Sequence, residues 1–113
     1  MQERVIKMSR DPEFPNAPEG WSRAIAETRA REEDLELGDD HWQAIRAIQE
    51  YFARNETPRV RALHDALDER FHGNGGIRYL YLLFPKGPVA QGCRMAGLKA
   101  PAGSTDKSFG SVG

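Results

Sequence analysis

Cys93 is the only thiol of the chain, and Arg94 follows it directly, with Lys86 and Lys99 within seven residues on either side. The thiolate, not the thiol, is the nucleophile and sulfur carrier, and neighbouring cations favour it. Cys93 is therefore the candidate redox or persulfide atom. A single cysteine behind an apolar segment also reads as a small buried hydrophobe, and the residue pattern leaves both readings open. With no second cysteine there is no internal disulfide, and any disulfide would join two molecules. Ten residues separate Cys93 from Ser104, and a hydroxyl neither carries sulfane sulfur nor exchanges with disulfides.

Residues 78–103 read RYLYLLFPKGPVAQGCRMAGLKAPAG. This stretch resembles the C-terminal signature of the DsrC/TusE family, sulfur-relay proteins related to the gamma subunit of dissimilatory sulfite reductase. That family's pattern is YLYxLFPxGPxxQxCRxAGLPKPxGC followed by one last residue. The resemblance extends back to about Trp21 through LEL-x-x-x-HW at Leu35 to Trp42 and TP-x-x-R at Thr57, Pro58 and Arg61. It implies a helical bundle whose C-terminal arm bears an inner cysteine, here Cys93, and an outer, sulfur-accepting cysteine, here replaced by Ser104. TusE-type members keep only the outer one. Nine residues follow Ser104, where family arms end one residue after the outer cysteine. The resemblance thus points to a binding or regulatory paralogue in cytoplasmic sulfur metabolism that has lost the relay thiol. Its expected partner is a sulfite-reductase-like or sulfurtransferase protein, docked by the positive surface of Arg78, Lys86, Arg94 and Lys99. A residual sulfurtransferase carrying persulfide on Cys93 is the second reading.

A third reading comes from the residues alone. Helices at about 39–55 and 58–72, joined by a Thr-Pro turn, resemble a helix-turn-helix, and Arg54, Arg59, Arg61 and Arg70 could meet phosphate. Glu56, Asp65, Asp68 and Glu69 alternate with them, and pairing along the helix explains most of that pattern without DNA. His41, His64 and His72 do not form a zinc-ligand spacing. No phosphate-cradling glycine loop, nucleophile elbow or paired catalytic carboxylate stands in the chain, and no cofactor is implied.

These residues must be positioned by helices. Trp21, Ile25 and Thr28 fall at helical spacing and predict one buried face. Asp39 and Asp40 after Gly38 mark the start of the next helix, whose stripe is Trp42, Ile45, Ile48 and Phe52, with Asn55 as its stop. Thr57-Pro58 predicts a capped start for the third, with Val60, Leu63, Leu67 and Phe71 buried. Gly73 to Gly76 ends it. Ile77 to Phe84 predicts a short, largely buried helix, and Gly87-Pro88 opens the last, running through Cys93 to about Ala96. Glu3 to Met8 could form a short strand before a proline-broken segment. From Gly97 onward periodicity is lost, which predicts a mobile arm.

At 113 residues, with 29% charged and 39% hydrophobic residues, the chain is one domain of ordinary globular composition. No apolar run is long enough to span a bilayer, and the N-terminus lacks a secretion signal, so a cytoplasmic location is expected. Residues 1–50 carry seven Lys/Arg and twelve Asp/Glu, and residues 51–113 carry nine and five, balances of −5 and +4. The cationic half holds the cysteine and would attract anionic partners. The expected fold is mostly α, a compact orthogonal bundle of about five helices. Residues 1–20 form an irregular segment, 21–97 the helical domain and 98–113 a flexible C-terminal arm.

Overall fold

Side chains accept backbone N–H groups near the starts of four helices, those beginning at Arg23, Asp39, Val60 and Ile77. A computed structural model of the protein describes residues 11–103. They form five α-helices: α1 (Arg23–Glu32), α2 (Asp39–Arg54), α3 (Val60–Arg70), α4 (Ile77–Leu83) and α5 (Ala90–Ala96), with a single 3₁₀ turn at His72–Asn74. The mostly-α bundle of five helices is the expected one. The possible strand at Glu3 to Met8 lies outside the described residues. Among those described, no helix is long and apolar enough to cross a membrane.

Ser22 caps α1, its side-chain oxygen accepting from Ile25 N at 3.3 Å. The buried face of α1 is Ala26 and Ala30, not the predicted Trp21–Ile25–Thr28 stripe; Ile25 is half-buried and Thr28 exposed. The reason is the partner: α1 packs against α5, and alanines permit a close approach, while Trp21 precedes the helix and reaches across to α5. Asp34, in a left-handed conformation at φ 58°, turns the chain away after α1.

The start of α2 has acids in its first turn, and His41 Nδ1 accepts the Gly38 N–H at 3.0 Å. His41 Nε2 donates in turn to Leu83 O at 2.7 Å, which fixes its tautomer and ties the start of α2 to the end of α4. Ala44, Ile45, Ile48 and Gln49 are buried, while Trp42 and Phe52 lie at the edge of the core. Asn55 ends α2 as predicted, donating its side-chain amide to Tyr51 O at 2.8 Å.

The start of α3 differs from the Thr57-Pro58 expectation. Its N-cap is Arg59, which makes no side-chain capping bond. The Tyr51 hydroxyl accepts Arg59 N at 3.1 Å, so an aromatic of α2 anchors the turn in place of a threonine cap. Leu63, Leu67 and Phe71 are buried as the spacing requires. Gly76 takes φ 65°, and a Cβ there would strike the Asp68 carboxylate, which accepts Ile77 N at 2.7 Å and so starts α4. That helix is two-sided rather than largely buried. Leu80 and Leu83 face the core, while Leu82 is 76% and Tyr81 39% exposed.

Every residue of α5 except Arg94 is buried, and the helix packs on both α1 and α2. Gly92 makes the α2 contact possible, since a Cβ would lie 2.7 Å from Ile48 Cδ1. The core also takes in Phe14, from the segment before α1 read as irregular. Phe14 is fully buried, 5.0 Å from the Trp21 ring and 5.8 Å from the Trp42 ring, with the Arg23 and Arg46 guanidinium groups each 4.9 Å from its centroid.

Candidate functional site

A helix end leaves its last carbonyls without intrahelical partners. At the end of α5 each one is met, one by the chain that follows and three by side chains from elsewhere in the fold. Leu98 N donates to Cys93 O at 2.9 Å, Arg29 Nη1 to Arg94 O at 2.8 Å, Trp21 Nε1 to Met95 O at 2.8 Å, and Gln49 Nε2 to Ala96 O at 3.0 Å. Gly97 closes the helix in a left-handed conformation at φ 81°, where a Cβ would meet Trp21 Cδ1 at 2.6 Å. The helix that carries the thiol is thereby fixed at its C-terminal end by α1, α2 and the tryptophan before α1.

Cys93 itself is fully buried within the core. Burial pushes its thiol up from 9.0 to about 12, and the opposing effect of Arg94 is the smaller one. The expectation that neighbouring cations would favour the thiolate is corrected here: loss of solvation outweighs one partly exposed guanidinium that is itself engaged elsewhere. Arg94 forms a two-pronged ion pair with Glu33, Nε to Oε2 and Nη2 to Oε1, both at 2.8 Å.

Glu33, at the end of α1, is the centre of this cluster. Its carboxylate also accepts Gln91 Nε2 at 2.9 Å and lies 3.9 Å from Lys86 Nζ, and its side chain is only 16% exposed. Gln91 Oε1 accepts Lys86 N at 3.0 Å, so the turn before α5 joins the same network. The Arg94 hydrogen bonds, with those of Gln91 and the nearby Lys86 charge, hold the Glu33 carboxyl below its ordinary range despite partial burial. Sequence reasoning missed Glu33. The available signal was the three-residue spacing of Gln91 and Arg94, which places both on one helix face in need of a shared acceptor.

The four cations expected to dock a partner are thus placed differently from one another. Lys86 and Arg94 converge on Glu33, whereas Arg78 on α4 and Lys99 beyond α5 are exposed. Ser104 lies outside the described residues. The chain leading to it does not leave the body at Gly97: Leu98 and Ala100 pack against the core and Pro101 is buried. Gly103 then lines a surface groove of about 210 Å³ together with Val60, His64, Tyr81, Gly87, Pro88, Val89 and Ala90. The position preceding 104 therefore stands at a mainly apolar cleft between the start of α3, the end of α4 and the approach to α5.

Two of the four arginines read as a phosphate-binding set, Arg54 and Arg70, have a carboxylate neighbour. Arg54 pairs with Glu50 at 2.9 Å, and Arg70 lies 3.9 Å from the same carboxylate. Pairing along α2 and between α2 and α3 accounts for both, and the acid that serves them is Glu50 rather than the Glu56, Asp65, Asp68 and Glu69 that alternate with the arginines in sequence.

Comparisons with known proteins show what the chain as a whole is similar to. A family model described as DsrC like protein matches residues 2–104. The protein named Sulfurtransferase TusE from Salmonella typhimurium is 41% identical over 83 residues, covering 72% of this chain and 76% of that protein. Its namesake from Photorhabdus laumondii is also 41% identical over 83 residues, 72% of this chain and 75% of that protein. Among solved structures, the NMR structure of Allochromatium vinosum DsrC superposes with a TM-score of 0.63 at 38% identity, over 75% of this chain and 78% of that one.

Proposed function

The chain belongs to the DsrC-like family, and from that membership we propose that it serves a sulfur-relay system as a partner-binding or regulatory member and does not ferry sulfur itself. Relatives at 41% identity carry the name sulfurtransferase, which supports placing the chain in such a system. The observation that carries the finer reading is the state of sulfur in the molecule. A hydroxyl occupies position 104 at the end of the matched region, and the single thiol is sealed in the core with its ionisation pushed to about 12. Neither group can form a persulfide at neutral pH while the fold stays closed.

What remains is recognition. Gly103 stands at a mainly apolar cleft, with Arg78 on the exposed side of α4 and Lys99 beyond α5. A sulfite-reductase-like or sulfurtransferase partner would read these features. Glu33, Gln91 and Arg94 tie α5 to the end of α1, so these side chains act as positioning residues. No observation favours the DNA-binding reading over the pairing of Arg54 and Arg70 with Glu50.

Intact-mass spectrometry after exposure to a persulfidated donor protein tests this reading. The native chain should stay unmodified, and Ser104→Cys should gain one sulfur that a reductant removes, with the gain kept in Ser104→Cys combined with Cys93→Ala. Sulfur taken up by the native chain and handed to an acceptor would refute the proposal.

A further inference from the structure

The two halves of the chain carry opposite charge, and each half sets charge beside uncovered apolar surface. The first such face is a surface groove of about 600 Å³ along the end of α1 and the chain that follows, floored by Ala30, Leu35 and Leu37. Three carboxylates, Glu27, Asp34 and Glu36, and one cation, Arg31, line it, a balance of −2. The second is the outer face of α4. Leu82 is 76% exposed there, Tyr81 stands beside it, and exposed Arg78 lies one turn earlier on the same face. The helix, IRYLYLL, carries no acid, and the Asp68 carboxylate of the neighbouring α3 is taken by Ile77 N. Neither Arg78 nor Glu27, Asp34 and Glu36 has an ion-pair partner among the described residues.

We propose that these two faces meet between two copies of this chain. Leu82 of one protomer enters the groove of its partner over Leu35 and Leu37, and Arg78 meets Glu27 and Glu36. Charge complementarity selects this occupant. The acidic groove and the cationic helix face attract each other, whereas two α4 faces, or two grooves, would bring like charges together. Burial of Leu82 supplies an attraction that salt does not screen, and the ion pairs fix which faces meet. Within one protomer the two stretches are neighbours. Lys86 Nζ lies 3.9 Å from Glu33, and His41 bridges Gly38 N and Leu83 O. A two-fold pair can therefore make the contact twice, which closes the assembly at two. One helix face against one groove is a small contact, so the dimer is weak and depends on concentration. The dimer goes beyond the proposed function. Only one consequence rests on that reading: a relay partner that reads Arg78 must compete with the second copy.

The test is sedimentation velocity on the full chain from roughly 10 µM to 1 mM. The native chain should pass from monomer to dimer across that range and grow no further, and added salt should move it back toward monomer. Leu82→Glu, and the double variant Glu27→Lys with Glu36→Lys, change exposed side chains and so should fold normally. Each alone should stay monomeric. Mixed in equal amounts they should dimerise again, because the intact groove of the first receives Leu82 and Arg78 of the second. Arg78→Glu added to the groove double variant should also restore the dimer, by exchanging the signs of the two faces. A native chain that stays monomeric throughout would overturn the proposal and leave both faces to other proteins. So would growth into larger assemblies. A groove variant that dimerises as well as the native chain would do the same, since it would set α4 against α4. None of these outcomes bears on sulfur uptake at position 104, so the two readings fail separately.

Discussion

At the scale of single residues, the thiol of Cys93 shows how burial overrides sequence neighbours. Arg94 beside it and Lys86 and Lys99 nearby suggested a reactive sulfur, yet loss of solvent is the larger effect and raises the pKa to about 12. The sign of the consequence follows from linkage. In the unfolded chain the thiol ionises near its ordinary value of 9.0, while the folded chain keeps the proton until about 12. The stabilising contribution is thus fully present below about 9 and is lost as pH rises through the folded value. Thermal melts from pH 8 to 11 should show native stability falling more steeply than that of Cys93→Ala, which starts about 1 kcal/mol lower because a buried atom is gone. Tyr79, whose hydroxyl donates to Asp40, also titrates upward and adds a loss of the same sign in both proteins. The difference between the two curves therefore isolates the thiol. Parallel curves would show that Cys93 does not titrate between its unfolded and folded values.

At the scale of elements, the α1–α5 junction depends on Glu33. Its carboxyl is held below the usual range chiefly by Arg94, so its contribution is present above the ordinary value of 4.5 and is lost as pH falls through the lowered one. Glu33→Gln leaves Arg94 and Lys86 without their anion, and should cost about 2 kcal/mol at neutral pH by urea unfolding. The gap should narrow as the native carboxyl is protonated, and a gap that persists undiminished at pH 2 would deny the ion pair its role. Regular repetition made the helices themselves legible: Leu63, Leu67 and Phe71 on α3, and Ile45 and Ile48 on α2, are buried where the spacing put them. The misread features have in common that their partner lies far along the chain. Ala26 and Ala30 are buried because α5 approaches closely, and no local pattern announces a neighbour some sixty residues away. Phe14 sits among prolines with no periodicity around it, so its place between two tryptophans is invisible locally. Tyr51 replaces the expected threonine cap because a hydroxyl from the preceding helix reaches the turn first. Glu33 looked like one acid among several near the end of α1.

At the scale of the whole molecule, the question is what must open before Cys93 meets a reagent or a sulfur donor. The helix α5 packs on α1 and α2, and side chains from α1, α2 and the segment before α1 hold its last carbonyls. Releasing the thiol means leaving both neighbours together, which removes the centre of the core and with it the reason for the remaining helices to stay folded. Access should therefore be governed by the global unfolding equilibrium rather than by a local hinge. With a neutral thiol reagent, labelling of the native chain should be slower than that of the unfolded chain by a factor of about 10³ or more, the range set by ordinary domain stabilities. The logarithm of the labelling rate should also rise with urea along the slope measured for global unfolding. A rate insensitive to urea, or within about tenfold of the unfolded chain's, would mean that α5 opens by itself, since local opening exposes little surface and leaves the rate nearly flat in denaturant. In that case Cys93 would be within reach of a persulfide donor under native conditions, and the reading of this chain as a binder that carries no sulfur would give way to one in which the inner thiol works from a transiently open state.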